Sequence, residues 1–196
     1  MSIKLVRNFL TDHGLYTVLR DERMRRICIE VSKIPFGEGR TVEEVLGTKH
    51  AGTCTGKHSV LQACFDALNI EYRPVVCVFR WDEQGIEFPL HLRQILSEGA
   101  WGHGHDFVQV RDRFRNWIDV DVTFDSALSN YGFRSFPQDW DGAQPFLGVH
   151  NIIKRWDDAN VDALKREFVD ALTPEVRERR ERFLTALFAW LQKVRR

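Results

Sequence analysis

The sequence has no excess of charge of either sign. Its 196 residues include 28 lysines and arginines and 28 aspartates and glutamates, which gives a formal net charge of zero. Proteins that bind nucleic acid through its phosphates carry a basic surplus, often concentrated on one face. The charge balance therefore predicts that nucleic acid is not a partner of this protein.

Long apolar runs are also missing. No stretch approaches the roughly 20 apolar residues that a helix needs to span a bilayer. The first ten residues, MSIKLVRNFL, contain no apolar run of signal-peptide length. We therefore expect no membrane partner and a cytoplasmic location.

Cysteine is scarce, and its four copies, Cys28, Cys54, Cys64 and Cys77, lie far apart. Widely spaced free thiols suit a reducing cytoplasm better than an oxidising compartment. Three of them have apolar neighbours that favour core packing. Cys54 differs, because it is flanked by threonine, glycine, lysine and histidine.

Apolar residues are numerous enough for one sizeable core. Hydrophobic residues make up 43% of the composition and aromatic residues 12%, and the length is too short for two ordinary domains. We predict a single domain over residues 1–196, with its core at about 34–125 and a C-terminal helical extension at about 150–196. Composition does not decide the oligomeric state.

Cys54 lies where a loop enters a helix. After it, Val60, Leu61, Cys64 and Leu68 fall on one side of a helical pattern. A thiol in the first turn of a helix lies near unpaired backbone amides and the positive end of the helix dipole. Both lower its pKa and populate the thiolate. The position therefore favours a nucleophilic role for Cys54.

Two alternating segments further along the chain supply a base and an acid. HDFVQV begins with His105, and WIDVDVTFD contains Asp119 and Asp121; the short polar stretch between them predicts an antiparallel hairpin. If the turn centres near residue 113 or 114, His105 falls opposite residues 121–123, within reach of a carboxylate. The resulting order is nucleophile, base and orienting acid.

These segments resemble the signatures of the transglutaminase-like superfamily, the papain-related group that includes transglutaminases and many bacterial proteases. Its signatures are a GxC stretch opening a helix, a histidine starting an HxWVEV-like strand, and an aspartate four positions after a tryptophan. The chain has Cys54 in GTC, His105 in HDFVQV, and Trp117 four positions before Asp121. The resemblance covers roughly residues 34–123.

The chain departs from the family pattern at two positions. Val122 stands where a proline is common, and Gln109 stands where a glutamate is common. Neither belongs to the triad. The tryptophan spacing makes Asp121 the expected acid, so Asp119 is expected on a solvated strand face.

The resemblance implies an α+β fold of the papain-like type. A central helix carrying Cys54 would pack on a small antiparallel sheet, with helices flanking it at both ends. It also implies thiol-dependent acyl transfer or hydrolysis on an amide or peptide, with a peptide, a protein or a small amide as substrate and no cofactor. His105 would take the thiol proton, and Asp121 would hold the imidazole. The Cys54 backbone amide is the expected first oxyanion donor; the second is not identified.

Three alternatives remain open on the sequence alone. An amine in place of water as acceptor would make the protein a transamidase, or transglutaminase. A chain without activity would be a binding module on the same fold. The third alternative is zinc: His103 and His105 are two apart, and Cys54 or Asp121 could complete the ligand set. No CxxC pair accompanies these histidines, so we expect no metal.

Two groups of basic residues have both a functional and a structural interpretation. Lys57 and His58, next to Cys54, could raise the potential at the thiol, or could be exposed first-turn residues.

The second group is the RERRER run in the C-terminal helix. It could bind an anion. The favoured interpretation is a solvated face with the i,i+4 salt pairs Glu175 with Arg179 and Glu178 with Arg182.

Overall fold

The protein is an α+β structure, seen in a computed structural model that describes residues 2–195. Helices form both ends of the chain and alternate with strands in its middle. The helices are α1 (Ser2–Asp12), α2 (Arg20–Ser32), α3 (Cys54–Ala67), α4 (Leu90–Ser97), α5 (Val161–Asp170) and α6 (Pro174–Val194). The strands are β1 (Phe36–Gly39), β2 (Tyr72–Phe79), β3 (His103–Arg111), β4 (Trp117–Val120) and β5 (Lys154–Asp157).

Four of the strands form one antiparallel sheet in the order β4-β3-β2-β5. The predicted hairpin is the β3–β4 pair, in which Gln109 lies opposite Asp119 and Val110 opposite Ile118. Asp112 closes the turn by accepting hydrogen bonds from the backbone amides of Phe114 and Asn116. The turn therefore centres where the sequence predicted it.

Two apolar clusters lie on the two faces of this sheet. Val108 and Val110 of β3 belong to a cluster with buried residues of α1, α2 and α3. Phe107, which directly precedes Val108, belongs to the other cluster, with buried residues such as Phe183 of α6. This alternation follows from the two-residue period of a strand. It places α3 on one face of the sheet and α6 on the other.

The start of α3 is held by its cap and by a close backbone contact. The Thr53 hydroxyl accepts a hydrogen bond from the Gly56 amide at 3.1 Å, which satisfies one of the free donors of the first turn. A Cβ atom at position 56 would lie 2.1 Å from the carbonyl oxygen of Gly39. Only glycine fits there, so Gly56 allows α3 to approach the end of β1 and fixes where Cys54 lies.

The C-terminal part contributes more than helices. β5 pairs with β2 and completes the sheet. Helix α6 begins at Pro174 after the cap Thr173, as its sequence predicts. The prediction of i,i+4 salt pairs on α6 was wrong, because Arg179 and Arg182 both pair with Glu98 instead.

Glu98 lies just after α4, so the arginines of α6 contact another element rather than their own helix. Among residues 2–195, no helix is both long and apolar enough to cross a bilayer.

Candidate active site

Cys54 is the first residue of α3, and its side chain is buried, with 8% of the residue exposed. Its polar neighbours in sequence had suggested a more open position. The burial comes from Lys165 of α5, which lies over the thiol. Cys54 is therefore a nucleophile candidate in a largely desolvated site.

His105 and Asp121 form the contact that the sequence predicted. Nε2 of the imidazole lies 2.7 Å from Oδ2 of the carboxylate, and both side chains are buried. His105 and Cys54 also interact electrostatically, since each shifts the pKa of the other toward the charged form. The structure thus brings all three predicted residues together in the predicted order.

The Asp121 carboxylate is held on several sides. Besides His105, it accepts hydrogen bonds from the backbone amides of Gly148 at 2.9 Å and Thr123 at 3.0 Å. Burial by itself raises the pKa of Asp121, but the imidazole of His105 outweighs it, and the pKa lies well below its usual range. Asp121 therefore stays ionised opposite His105.

The charges at the site favour a thiolate and an imidazolium. Burial raises the pKa of the Cys54 thiol, yet the Lys165 ammonium and His105 outweigh burial and the nearby Asp106, so the pKa is lowered overall. Burial likewise lowers the pKa of His105, but Asp121 and Cys54 raise it well above its usual value. The two shifts favour proton transfer from Cys54 to His105.

The other cysteines have the opposite electrostatics. Burial raises the pKa of Cys64 to about 12 and that of Cys77 to about 11, and it raises the pKa of Cys28 further still. These thiols are therefore protonated at neutral pH, as expected of core residues. Cys54 alone among the four cysteines has a lowered pKa.

Sequence reasoning missed Lys165. Its Nζ lies 3.2 Å from Sγ of Cys54 and 2.8 Å from Oγ1 of Thr55, and it forms an ion pair with the buried carboxylate of Asp106. The cap Asn160 and the apolar residues after it could have predicted the helix α5. No local signal could have shown that Lys165 meets a thiol 111 positions earlier in the chain.

Lys57 and His58 are fully buried, so their interpretation as exposed first-turn residues was wrong. Nζ of Lys57 donates to the carbonyl oxygens of Ser32 and Thr123, each at 2.9 Å. Burial lowers the pKa of Lys57 to about 7. Its contact with Thr123 ties α3 to the segment that carries Asp121.

His58 makes a second connection between the same segments. Its Nδ1 lies 2.9 Å from the Cys54 carbonyl oxygen, and its Nε2 accepts a hydrogen bond from the Val122 amide at 3.2 Å. Burial lowers the pKa of His58, although Asp121 and Asp106 oppose it. Because Nε2 accepts the hydrogen bond from Val122, it is unprotonated. The His58 ring is therefore neutral and connects the two segments through its hydrogen bonds.

Asp119 lies outside the site. Its carboxylate binds the Arg155 guanidinium through two hydrogen bonds, at 2.6 and 2.7 Å, and accepts another from Gln109 at 3.1 Å. It is partly exposed, whereas Asp121 is completely buried. Asp119, on β4, therefore has its partners on β3 and β5, whereas Asp121, just beyond the end of β4, has its partner in the site.

His103 lies beside the site without joining the triad. Its ring packs against Phe79 and Trp81, with centroid distances of 5.4 and 5.3 Å. Burial holds the pKa of His103 well below its usual value, so the ring is neutral. Within residues 2–195, no three His, Cys, Asp or Glu side chains are grouped closely enough to hold a metal ion.

A cavity of about 650 Å³ opens above Cys54 and His105. Aromatic and aliphatic side chains form much of its wall, and α5 and α6 contribute one side. Its charged lining residues are Arg40, Asp162, Lys165, Arg166, Asp170 and Arg180. Volume and lining suit a substrate that extends beyond the reacting group.

In comparisons with known proteins, no family model and no curated protein matches this chain. The function is therefore inferred from the site itself: a thiol of lowered pKa, an imidazole that helps to lower it, and a carboxylate that orients the imidazole.

Proposed function

We propose that the protein is a cysteine-dependent hydrolase or acyltransferase of the transglutaminase-like superfamily, on a papain-like fold. Cys54 is the nucleophile, His105 the general base and acid, and Asp121 the orienting acid. One observation carries the proposal: Nε2 of His105 lies 2.7 Å from Oδ2 of Asp121, and the same imidazole lowers the pKa of the Cys54 thiol. This is the arrangement that a nucleophile, a base and an orienting group require.

The proposed reaction begins with the thiolate of Cys54 attacking the carbonyl carbon of an amide or peptide. The carbonyl π electrons move to oxygen, which becomes an oxyanion. When the C–N bond breaks, the His105 imidazolium gives its proton to the leaving amine, and a thioester remains on Cys54. His105 then takes a proton from the acceptor, which attacks the thioester and regenerates the thiolate as the imidazolium reforms.

Water is the acceptor that we rank first. Hydrolysis needs no second binding site. An amine acceptor would make the enzyme a transamidase. Fold resemblance by itself is equally compatible with an inactive binding module, but the lowered pKa of Cys54 beside the raised pKa of His105 favours an enzyme.

We also propose a cytoplasmic location. All four cysteines are free thiols, and a catalytic thiol persists best in a reducing compartment.

Activity-based profiling tests the proposed function. The protein is incubated with a library of peptides and small amides, with and without primary amines, and products and acyl-enzyme are followed by mass spectrometry. We expect cleavage of some library members and a covalent adduct on Cys54 alone. Amine incorporation would assign the transamidase alternative.

Iodoacetamide labelling near neutral pH is the companion measurement. Cys54 should react much faster than Cys28, Cys64 and Cys77, whose pKa values are raised. Equal labelling of all four, together with no adduct in the library, would leave the binding module as the function.

A further inference from the structure

Lys165 reaches the reacting sulfur from a helix outside the three sequence segments that carry the triad. Helix α5 begins at the cap Asn160 and packs on β2 and β3. One turn after Lys165, the Phe168 ring lies 5.0 Å from the ring of Trp156 on β5. These contacts hold α5 against the sheet and thereby fix the position of Lys165 relative to Cys54.

Three polar groups hold the ammonium of Lys165 in place. Nζ lies 3.2 Å from Sγ of Cys54 and 2.8 Å from Oγ1 of Thr55, and it pairs with the carboxylate of Asp106. The Thr55 hydroxyl donates to the same carboxylate at 2.8 Å. Asp106 is 1% exposed, so the pair lies in a desolvated setting where its attraction is strong.

Lys165 remains an ammonium throughout this arrangement. Burial lowers its pKa, but Asp106 and Cys54 outweigh burial and raise the pKa above its usual value. An amine that stays protonated is neither a nucleophile nor a base. Lys165 therefore cannot accept an acyl group from Cys54 or deprotonate an acceptor, and what it offers the site is a fixed positive charge with N–H donors.

We propose that Lys165 is a catalytic residue, whose ammonium is the second donor to the oxyanion beside the backbone amide of Cys54. This inference rests on the proposed function. The oxyanion is two bonds away from the attacking sulfur, so a donor 3.2 Å from Sγ lies within reach of that oxygen. Asp106 and Thr55 keep the ammonium in position while the charge moves.

The role follows from the path of the negative charge. In the resting enzyme the charge is on Sγ, next to Nζ. When the C–S bond forms, the charge passes to the carbonyl oxygen, and Lys165 can donate to it without leaving Asp106. A pre-positioned cation in a water-poor site stabilises such a charge far more than one that must reorient.

Two reactions of the Cys54 thiol distinguish donation to the oxyanion by Lys165 from stabilisation of the thiolate alone. Iodoacetamide alkylates Cys54 by displacement at a saturated carbon, so no oxyanion forms. 4-Nitrophenyl acetate acylates Cys54 through an oxyanion and releases nitrophenolate. The rate of each is measured against pH up to its plateau, where the thiol is fully ionised and its pKa no longer matters.

Lys165→Gln is the main variant, because the amide can still bond to Asp106 and Thr55 but carries no charge; Lys165→Met is a second neutral variant. We expect the plateau for acylation to fall about 10²- to 10³-fold, while the plateau for alkylation changes only a few-fold. Lys165→Arg should recover part of the lost acylation. Arg182→Gln, which removes a cation that pairs with Glu98 away from the cavity, should leave both plateaus unchanged.

Equal changes in the two plateaus, or no change in either, would overturn the role at the oxyanion. Wild-type protein that is alkylated at Cys54 but never acylated would instead reject the proposed function. Circular dichroism melting curves identify folded variants, and either of the two neutral variants suffices for the comparison.

Two arginines at the cavity carry a second, independent inference. Arg180 of α6 is half-buried in the wall, and Arg40, in the loop after β1, also lines the cavity. Among the side chains that the structure describes, neither guanidinium has a hydrogen-bond or ion-pair partner. Burial lowers the pKa of Arg180, and the nearby Arg40 lowers it further, against the opposing effect of Glu181.

The acidic residues of the cavity do not neutralise this pair. The Asp170 carboxylate pairs with the guanidinium of Arg177 at 3.9 Å, and the Asp162 side chain is exposed to solvent. Arg180 is half-buried and Arg40 is exposed, and a bound anion would stabilise the two guanidinium groups, which repel each other. We infer that the cavity recognises acyl donors that carry a carboxylate, bound by Arg180 and Arg40. This also rests on the proposed function.

A matched pair of esters tests this preference. The mono-4-nitrophenyl ester of adipic acid and 4-nitrophenyl hexanoate have acyl chains of equal carbon number, and only the first ends in a carboxylate. We expect wild-type protein to be acylated faster by the adipate ester. Arg180→Gln should reduce the ratio of the two rates about tenfold or more, because one charge-assisted contact is lost.

Arg182→Gln is the control, since Arg182 pairs with Glu98 away from the cavity. The ratio of the adipate rate to the hexanoate rate in this variant should match that of wild type. A ratio near one in wild type, or a ratio that Arg180→Gln leaves intact, would overturn the carboxylate preference. Failure of both esters to acylate Cys54 would count against the proposed function instead.

Discussion

Asp121 and His105 form a contact that leaves the imidazole a single orientation. Oδ2 of the carboxylate lies 2.7 Å from Nε2 and also accepts the Gly148 amide, while Oδ1 accepts the Thr123 amide. The carboxylate therefore cannot rotate away without breaking buried hydrogen bonds. The imidazole that it holds lowers the pKa of the Cys54 thiol.

Replacing the two neighbouring aspartates should separate catalysis from surface pairing. Asp121→Asn should lower kcat by several orders of magnitude, because an amide no longer stabilises the imidazolium; in serine triads the loss is about 10⁴-fold. Asp119→Asn breaks the Arg155 pair outside the site and should leave kcat within a few-fold of wild type. Steady-state kinetics of both variants measures this, and the reverse ranking would contradict the assignment of Asp121.

Cys54→Ala should abolish acyl transfer and acyl-enzyme formation. Removing one sulfur from a buried first-turn position should cost about 1 kcal/mol of stability, since Lys165 keeps its pair with Asp106. Intact-protein mass spectrometry follows the adduct, and thermal melting follows stability. Unfolding as severe as that caused by truncating a core residue such as Phe65 would indicate that Cys54 is structural.

The rate of acyl transfer should depend on pH as a broad bell. The reactive form contains the thiolate and the imidazolium, and it is populated between the lowered pKa of Cys54 and the raised pKa of His105. The acidic limb should lie below the usual thiol pKa of 9.0 and the basic limb above the usual imidazole pKa of 6.5. A profile that rises only near pH 9 would mean an ordinary, unpaired thiol.

Chelators and the two histidines of β3 distinguish the thiol from a zinc-bound water. We expect EDTA to leave the rate unchanged, His105→Ala to remove nearly all activity, and His103→Ala to have a modest effect, since the His103 ring packs against Phe79 and Trp81. Loss of activity in EDTA with recovery on adding zinc, together with equal losses in the two variants, would favour a metal mechanism.

Stability should fall at acid pH through Asp106. The Lys165 ammonium, with help from His58, outweighs burial and lowers the pKa of Asp106 from 3.8 to about 2. A depressed carboxylate pKa stabilises the folded state above the unfolded value and loses that effect as pH falls through the folded one. Urea unfolding should lose on the order of 2 kcal/mol through Asp106 between about pH 5 and pH 2, and Asp106→Asn should remove this share while the share of Asp121 remains.

Part of the site could be predicted from the sequence because its determinants are local. The Thr53 cap and the apolar periodicity after Cys54 define where α3 begins, and the turn residues define the register of β3 against β4. Those two local structures place a thiol at a helix start and a histidine within reach of Asp121. The α+β class followed from the same patterns.

Only the tertiary structure decided what surrounds the triad. Lys57 and His58 are buried because α3 packs against the segment that follows β4, and Arg179 and Arg182 pair with Glu98 because α6 packs beside α4. Lys165 meets Cys54 across 111 positions. Spacing along one helix or strand determines which side chains share a face, but the partner of that face depends on how distant elements pack, and no local pattern records this.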